Sequence, residues 1–273
     1  MRPRERQLRI TDLVRARGKV TVEELGREFE TSVETIRRDL TFLSANGKIR
    51  KIHGGAVPLR DFGEGAFAER MQQNSDAKRS IAQCAQTLAA PGNCLFIDTG
   101  STTLALAEAL TMIDNLTVVT NSTAIARVIS RGNSSTELYL LGGHYNEDNR
   151  QTCGPIALEQ LGRFHADLAF LTAGAVSADV GVMDYSSDEA EIASAMIARS
   201  DRVAVLVDES KFNRAAPFVV ASLERIDTLV CDRRPTGPLA PRQSLTTRST
   251  SIPDLSFVND LREWGGITRS RAV

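Results

Sequence analysis

Hydrophobic positions near the start of the chain recur with a helical period. Leu8, Ile10, Leu13 and Val14 predict a helix over Arg4–Arg17, ended by Gly18. Val22, Leu25 and Phe29 predict a second, shorter helix, and Glu30-Thr31 leave only a tight turn before a third. In that third helix Val33, Ile36, Leu40 and Leu43 line one face at spacings of three and four. Thr31 and Ser32 are good N-cap residues, and Glu34, three positions after Thr31, completes a capping-box pattern. After the helix stop Asn46-Gly47, two short extended runs flank Gly54-Gly55, the hairpin signal of a wing.

From near Phe67 the pattern changes. Helical stretches over 77–88, from Thr102, from Ser122 and over 189–198 alternate with the apolar runs CLFID, LTVVT, ELYLL, LAFLTA and VAVLVD. The runs are apolar without alternation, so both faces of each strand are expected to be covered, as in a largely parallel sheet.

The predicted domains are 1–58, with a helix-turn-helix at about 20–39, a linker at 59–66 containing Gly63 and Gly65, and an α/β body at 67–235. The tail, 236–273, is rich in Pro, Ser, Thr and Arg and reads as weakly ordered, with one short helix near Leu261–Trp264.

Charge separates the same parts. Residues 1–60 carry 14 Lys and Arg against 8 Asp and Glu, leaving 19 against 26 in the remainder of a chain whose formal net charge is −1. A basic segment joined to an acidic body fits a protein that meets a polyanion at one end only. On the third helix Ser32, Glu34, Thr35, Arg37, Arg38 and Thr41 lie away from the apolar stripe. Two guanidinium forks and several hydroxyls suit phosphates and the acceptor edge of guanine, while a merely solvated basic face is the plain alternative. Lys48, Arg50, Lys51 and His53 fall on the wing, where they would grip the flanking backbone of double-stranded DNA.

In parallel sheets ligands collect beyond the carboxyl ends of the strands. Asp98-Thr99-Gly100-Ser101-Thr102-Thr103 opens a helix with hydroxyls and N–H groups suited to a phosphate, although such a cluster alone is more often only a cap. It lacks the spacing of a nucleotide P-loop. Asn121, Gly142-Gly143 and Gly174 follow the next strands, and Lys211 follows the fifth. His144 is a candidate for the same pocket, and His165 for a strand entrance.

Thr35-Ile36-Arg37-Arg38-Asp39-Leu40 and His53-Gly54-Gly55-Ala56 resemble the helix-turn-helix signature of the DeoR family of bacterial transcriptional regulators. The strand-end motifs D-x-G-[ST]-T-T, T-N, G-G, G-A and S-K-F resemble that family's effector domain in the family's order. The resemblance implies a winged helix-turn-helix followed by a ribose-5-phosphate-isomerase-like α/β domain. It further implies a homodimer or tetramer released from its operator by a phosphorylated sugar or polyol. On that basis Asp98, Gly100, Ser101, Thr102, Thr103, Asn121, Gly142, Gly143, Gly174, Asp184 and Lys211 are effector-site candidates. Asp184-Tyr185 is like the pattern of glycerol-3-phosphate regulators. Val176-Ser177 departs from the family's usual Ile-Asp.

No cofactor or metal is expected, since the histidines have no partners at ligand spacing. Cys84, Cys94, Cys153 and Cys231 are scattered and read as reduced packing residues. The start of the chain lacks an apolar signal core and no run has the length of a membrane helix, so a cytoplasmic protein with no membrane partner is expected. The alternative function is a sugar-phosphate isomerase with a DNA-binding appendage, recruiting Asp98, Glu189 and Lys211.

Overall fold

Ile36 and Leu40, one turn apart on the third helix, are fully buried together with Ile10, Val14, Val20, Leu25 and Ala56. In a computed structural model this cluster is enclosed by α1 (Pro3–Arg17), β1 (Val20–Thr21), α2 (Val22–Glu28), α3 (Val33–Ala45), β2 (Arg50–Ile52) and β3 (Gly55–Val57). The three short strands form one antiparallel sheet in the order β1-β3-β2. The structure describes residues 3–17, 19–45, 48–52, 54–57, 67–239 and 257–260, and divides into two units, Met1–Gly63 and Glu64–Val273. His53, the predicted linker and most of the tail, including 261–264, lie outside the described residues.

Two details of the first unit differ from expectation. The Thr31 N–H donates to the Gly26 carbonyl in the turn that closes α2, so Ser32 caps α3, accepting from the Thr35 N–H at 3.2 Å. The capping box instead opens α2: Thr21 Oγ1 accepts from the Glu24 N–H at 3.2 Å, and Glu24 Oε2 from the Thr21 N–H at 2.8 Å.

The second unit runs α4 (Phe67–Gln72), α5 (Ser75–Gln86), β4 (Cys94–Ile97), α6 (Ser101–Leu110), β5 (Thr117–Thr120), α7 (Thr123–Ile129), β6 (Glu137–Leu140), β7 (His144–Asn146), β8 (Gln151–Cys153) and α8 (Pro155–Leu161). It continues through β9 (Ala166–Leu171), β10 (Ala175–Ser177), β11 (Gly181–Asp184), α9 (Ser187–Ala198), β12 (Ser200–Val207), β13 (Phe218–Ala221), β14 (Thr228–Cys231) and β15 (Phe257–Asp260). The main sheet has the order β15-β14-β12-β9-β4-β5-β6. All its pairings are parallel except that of β15 with β14.

Successive strand residues enter opposite cores. Phe96, Ala169 and Val205 pack on the α8–α9 face, while Leu95, Ile97, Phe170 and Leu206 pack against α5, α6 and α7. Burial on both faces is why these strands carry unbroken apolar runs. The hairpin β7–β8 and the small sheet β10-β11-β13 are not visible in the hydrophobic pattern. The expectation of an irregular tail is corrected at 257–260, where the chain returns as a strand because the outer edge of β14 offers unpaired backbone groups.

Candidate DNA-binding surface and effector cavity

On α3 the Arg37 and Arg38 side chains are 57% and 81% exposed. Glu34 lies 4.0 and 3.7 Å from them, a separation at which solvated pairs contribute little, so both guanidinium groups remain available. Thr41 Oγ1 donates to the Arg37 carbonyl at 2.8 Å and accepts from Lys51 Nζ at 2.7 Å, which sets the wing strand β2 beside α3. Ser32 and Thr35 share a hydroxyl contact of 2.8 Å at the helix start. Arg50 lies on β2.

Asp39, between these arginines and Leu40, turns the opposite way. Its carboxylate accepts from Arg6 Nε at 2.6 Å and Gln7 Nε2 at 2.8 Å, pinning α3 to α1. The wing glycines have separate reasons. Gly54 adopts φ 76°, whereas a Cβ on Gly55 would lie 2.1 Å from the Val20 carbonyl oxygen.

In the second unit the adjacent strands β4, β9 and β12 end together. The Thr172 hydroxyl, just past β9, donates to the Thr99 carbonyl at 3.2 Å. A Cβ on Gly100 would lie 2.6 Å from Thr172 Oγ1, so only glycine lets the start of α6 approach β9 this closely. Between them is a cavity of about 30 Å³. Ser101 and Thr102 line it from α6, Thr172 and Ala173 from the end of β9, and Asp208, Ser210 and Lys211 from the end of β12 and the turn after it. The fourth wall is Arg70, Gln73, Asn74 and Lys78. The N-terminal amides of α6 favour an anion, and the cationic side chains around them have the same preference. Asp208 opposes it. Its carboxylate accepts from the Ser210 N–H at 2.9 Å and from Asn74 Nδ2 at 3.3 Å.

Ser101, Thr102 and Lys211 are thus brought together. Asp98, Gly100 and Thr103 support them from behind: Asp98 accepts from the Thr99 N–H at 2.7 Å, and Thr103 Oγ1 donates to the Gly100 carbonyl at 3.2 Å. The sheet order places β5 and β6 beyond β4, so the residues after those strands do not line this cavity. Asn121 Nδ2 donates to Gln151 Oε1 and the Thr152 carbonyl, while Gly142 and Gly143 allow close packing on Gln160 and Cys153. Gly174 packs on the Tyr185 ring, and Asp184 Oδ1 accepts from the Tyr185 N–H at 2.6 Å ahead of α9. His144 is exposed on β7 and lines no part of the cavity, and His165, just before β9, meets Asp201 at 2.9 Å.

Sequence reasoning missed Arg70 and Lys78. Lys78 is 7% exposed and donates to the Gln73 carbonyl at 2.7 Å and to that of Arg70. A signal was present, since Lys78 shares a helical face with Ile81, Ala82 and Ala85. Arg70 Nη2 donates to Asn149 Oδ1 at 2.7 Å, and Asn149 and Gln151 both donate to Glu189 Oε1.

The model of the DeoR C terminal sensor domain matches residues 73–233, and that of the DeoR-like helix-turn-helix domain matches 6–61. The chain belongs to the DeoR family. As a DeoR-family protein it is 34% identical over 230 residues to the transcriptional repressor AccR of Agrobacterium fabrum, covering 84% of this chain and 89% of that one. It is 34% identical over 233 residues to the HTH-type transcriptional regulator GlpR of Haloferax volcanii, covering 85% and 91%. With the glycerol-3-phosphate regulon repressor of Escherichia coli it shares 30% identity over 246 residues, covering 90% and 96%. Among solved structures it is similar to ribose 5-phosphate isomerase A of Methanocaldococcus jannaschii, with a TM-score of 0.38 and 18% identity over 51% of this chain and 55% of that one. This DeoR-family chain is a DNA-binding transcription regulator. Among its described residues no helix is long and apolar enough to cross a membrane. At its departure from the family pattern, Val176 is fully buried and its carbonyl accepts from the Asn213 N–H at 2.9 Å, so this position serves the core.

Proposed function

We propose that this regulator represses a carbohydrate or polyol catabolic operon and leaves its operator when a phosphorylated sugar or polyol occupies the cavity at the carboxyl ends of β4, β9 and β12. The cavity carries the reading: the start of α6 converges there with Lys78, Arg70 and Lys211. The phosphoryl group would sit against the Ser101 and Thr102 amides and hydroxyls, with Lys211 closing over it. Relatives named as repressors, one of a glycerol-3-phosphate regulon, support repression and this ligand class.

Arg37 and Arg38 would contact operator bases and phosphates, with Ser32, Thr35, Thr41, Arg50 and Lys51 holding the flanking backbone. A two-fold operator calls for at least a homodimer in the cytoplasm, and effector and operator then weaken each other's binding by one common factor. Of the groups an isomerase would recruit, Lys211 alone lines the cavity, so the geometry favours sensing over turnover.

The test is a thermal-shift screen of the full chain against phosphorylated sugars and polyols, because a ligand specific to the native state raises its stability. Stabilisation by glycerol 3-phosphate or another member, lost in Thr102→Ala, is the expected result. Stabilisation that survives both Thr102→Ala and Lys211→Ala would place the effector elsewhere.

A further inference from the structure

The cavity measures about 30 Å³, room for a water-sized group, whereas sites for small ligands span roughly 300–1,000 Å³. A phosphorylated sugar therefore enters only if a wall yields. Three walls belong to the buried sheet and α6. The fourth is α4 with the start of α5, packed on the core through Phe67 and Ile81 and bonded across the cavity at two points: Arg70 Nη2 to Asn149 Oδ1 at 2.7 Å, and Asn74 Nδ2 to Asp208 Oδ1 at 3.3 Å. In chain order α4 is also the first described element after the DNA-binding unit. Resting on the reading of this cavity as the effector site, we propose that Arg70 transmits its occupancy: the guanidinium exchanges the Asn149 carboxamide for the effector's anionic group, and α4 parts from the β7–β8 turn.

The chemistry favours that exchange. A guanidinium gains opposite charge and can bond bidentately when it meets an anionic phosphate, neither of which a single neutral amide oxygen offers. Asn149 keeps Glu189 through its Nδ2, and its backbone carbonyl still accepts from Thr99 Oγ1 at 3.3 Å, so the exchange leaves only its Oδ1 to turn to solvent as the β7–β8 turn loosens. Phe67, buried in the core at the first position of α4, lies 5.5 Å from the Arg70 guanidinium and 5.7 Å from that of Arg150 in the β7–β8 turn, so the exchange is felt at the start of α4. Because the Arg70–Asn149 contact competes with effector, removing it should tighten binding, whereas a merely structural Asn149 would weaken binding when lost.

Hydrogen exchange on the full chain, with glycerol 3-phosphate, ribose 5-phosphate and inorganic phosphate as probes, separates the outcomes. A probe that protects 100–103 is expected to speed exchange at 146–151 several-fold in the wild type and not in Asn149→Ala, which binds that probe about tenfold tighter. Protection of 100–103 with unchanged exchange at 146–151, or weaker binding by Asn149→Ala, overturns the exchange and leaves the site standing. No protection of 100–103 by any probe overturns the site itself, and the inference with it.

Discussion

Asp39 on α3 and Arg6 on α1 meet at 2.6 Å with side chains 6% and 12% exposed. The carboxylate thus stands back to back with the exposed Arg38, and one dipeptide both presents a cation outward and anchors the helix inward. Removing Asp39 leaves the Arg6 guanidinium without this partner in a poorly solvated place. Asp39→Ala is expected to cost the first unit about 2 kcal/mol. Urea unfolding followed by exchange of α3 amides would measure it, and a loss under a few tenths would assign the contact no stabilising role.

Arg38→Ala should weaken binding of the promoter fragment that the wild-type chain retards by about tenfold or more, without changing the melting of the second unit. The dependence of log affinity on log salt should lose about one unit of slope if Arg38 meets a phosphate. A sequence preference that broadens at one base pair, with the slope unchanged, would assign Arg38 to a base edge instead.

The two wing glycines should differ in their response to alanine. Gly55→Ala drives a methyl into the Val20 carbonyl and should cost about 3 kcal/mol. Gly54→Ala meets nothing within 4 Å and has only its φ of 76° to overcome, about 1 kcal/mol. Equal losses in denaturant melts would refute the close approach of β3 to β1.

Burial, with a hydrogen bond to Asp188, pushes the Cys153 thiol up from 9.0 to about 11. An unfolded chain releases that proton first, so this site stabilises the fold below about pH 9 and ceases to do so as pH rises toward 11. Cys153→Ala should flatten the fall in urea midpoint across that interval, and the native thiol should alkylate slowly with iodoacetamide.

What the sequence made legible follows from where information is local. The stripe Val33, Ile36, Leu40 and Leu43 is periodic because a single face of α3 is buried, and the apolar strands were readable because both sheet faces are covered. The cavity proposed to take the effector was half legible. Ser101, Thr102 and Lys211 carry motifs, whereas Arg70 and Lys78 qualify only through the way α4 packs beside α6 and α5 beside α6 and β12. Strand β15 was illegible for a related reason. A run of four residues shows little period of its own and takes its form from β14, distant in sequence.

That returning strand leaves the main sheet with unequal rims. On one side β15 occupies the hydrogen-bonding groups of β14; on the other β6 stands with Tyr139 and Leu140 39% and 46% exposed. Pairing with β15 satisfies the outer hydrogen-bonding groups of β14 and moves that rim one strand outward, onto a strand that runs against the rest of the sheet. Among the described residues the sheet therefore ends in an antiparallel strand on one side and a parallel one on the other, two edges that differ in the pairing geometry they offer.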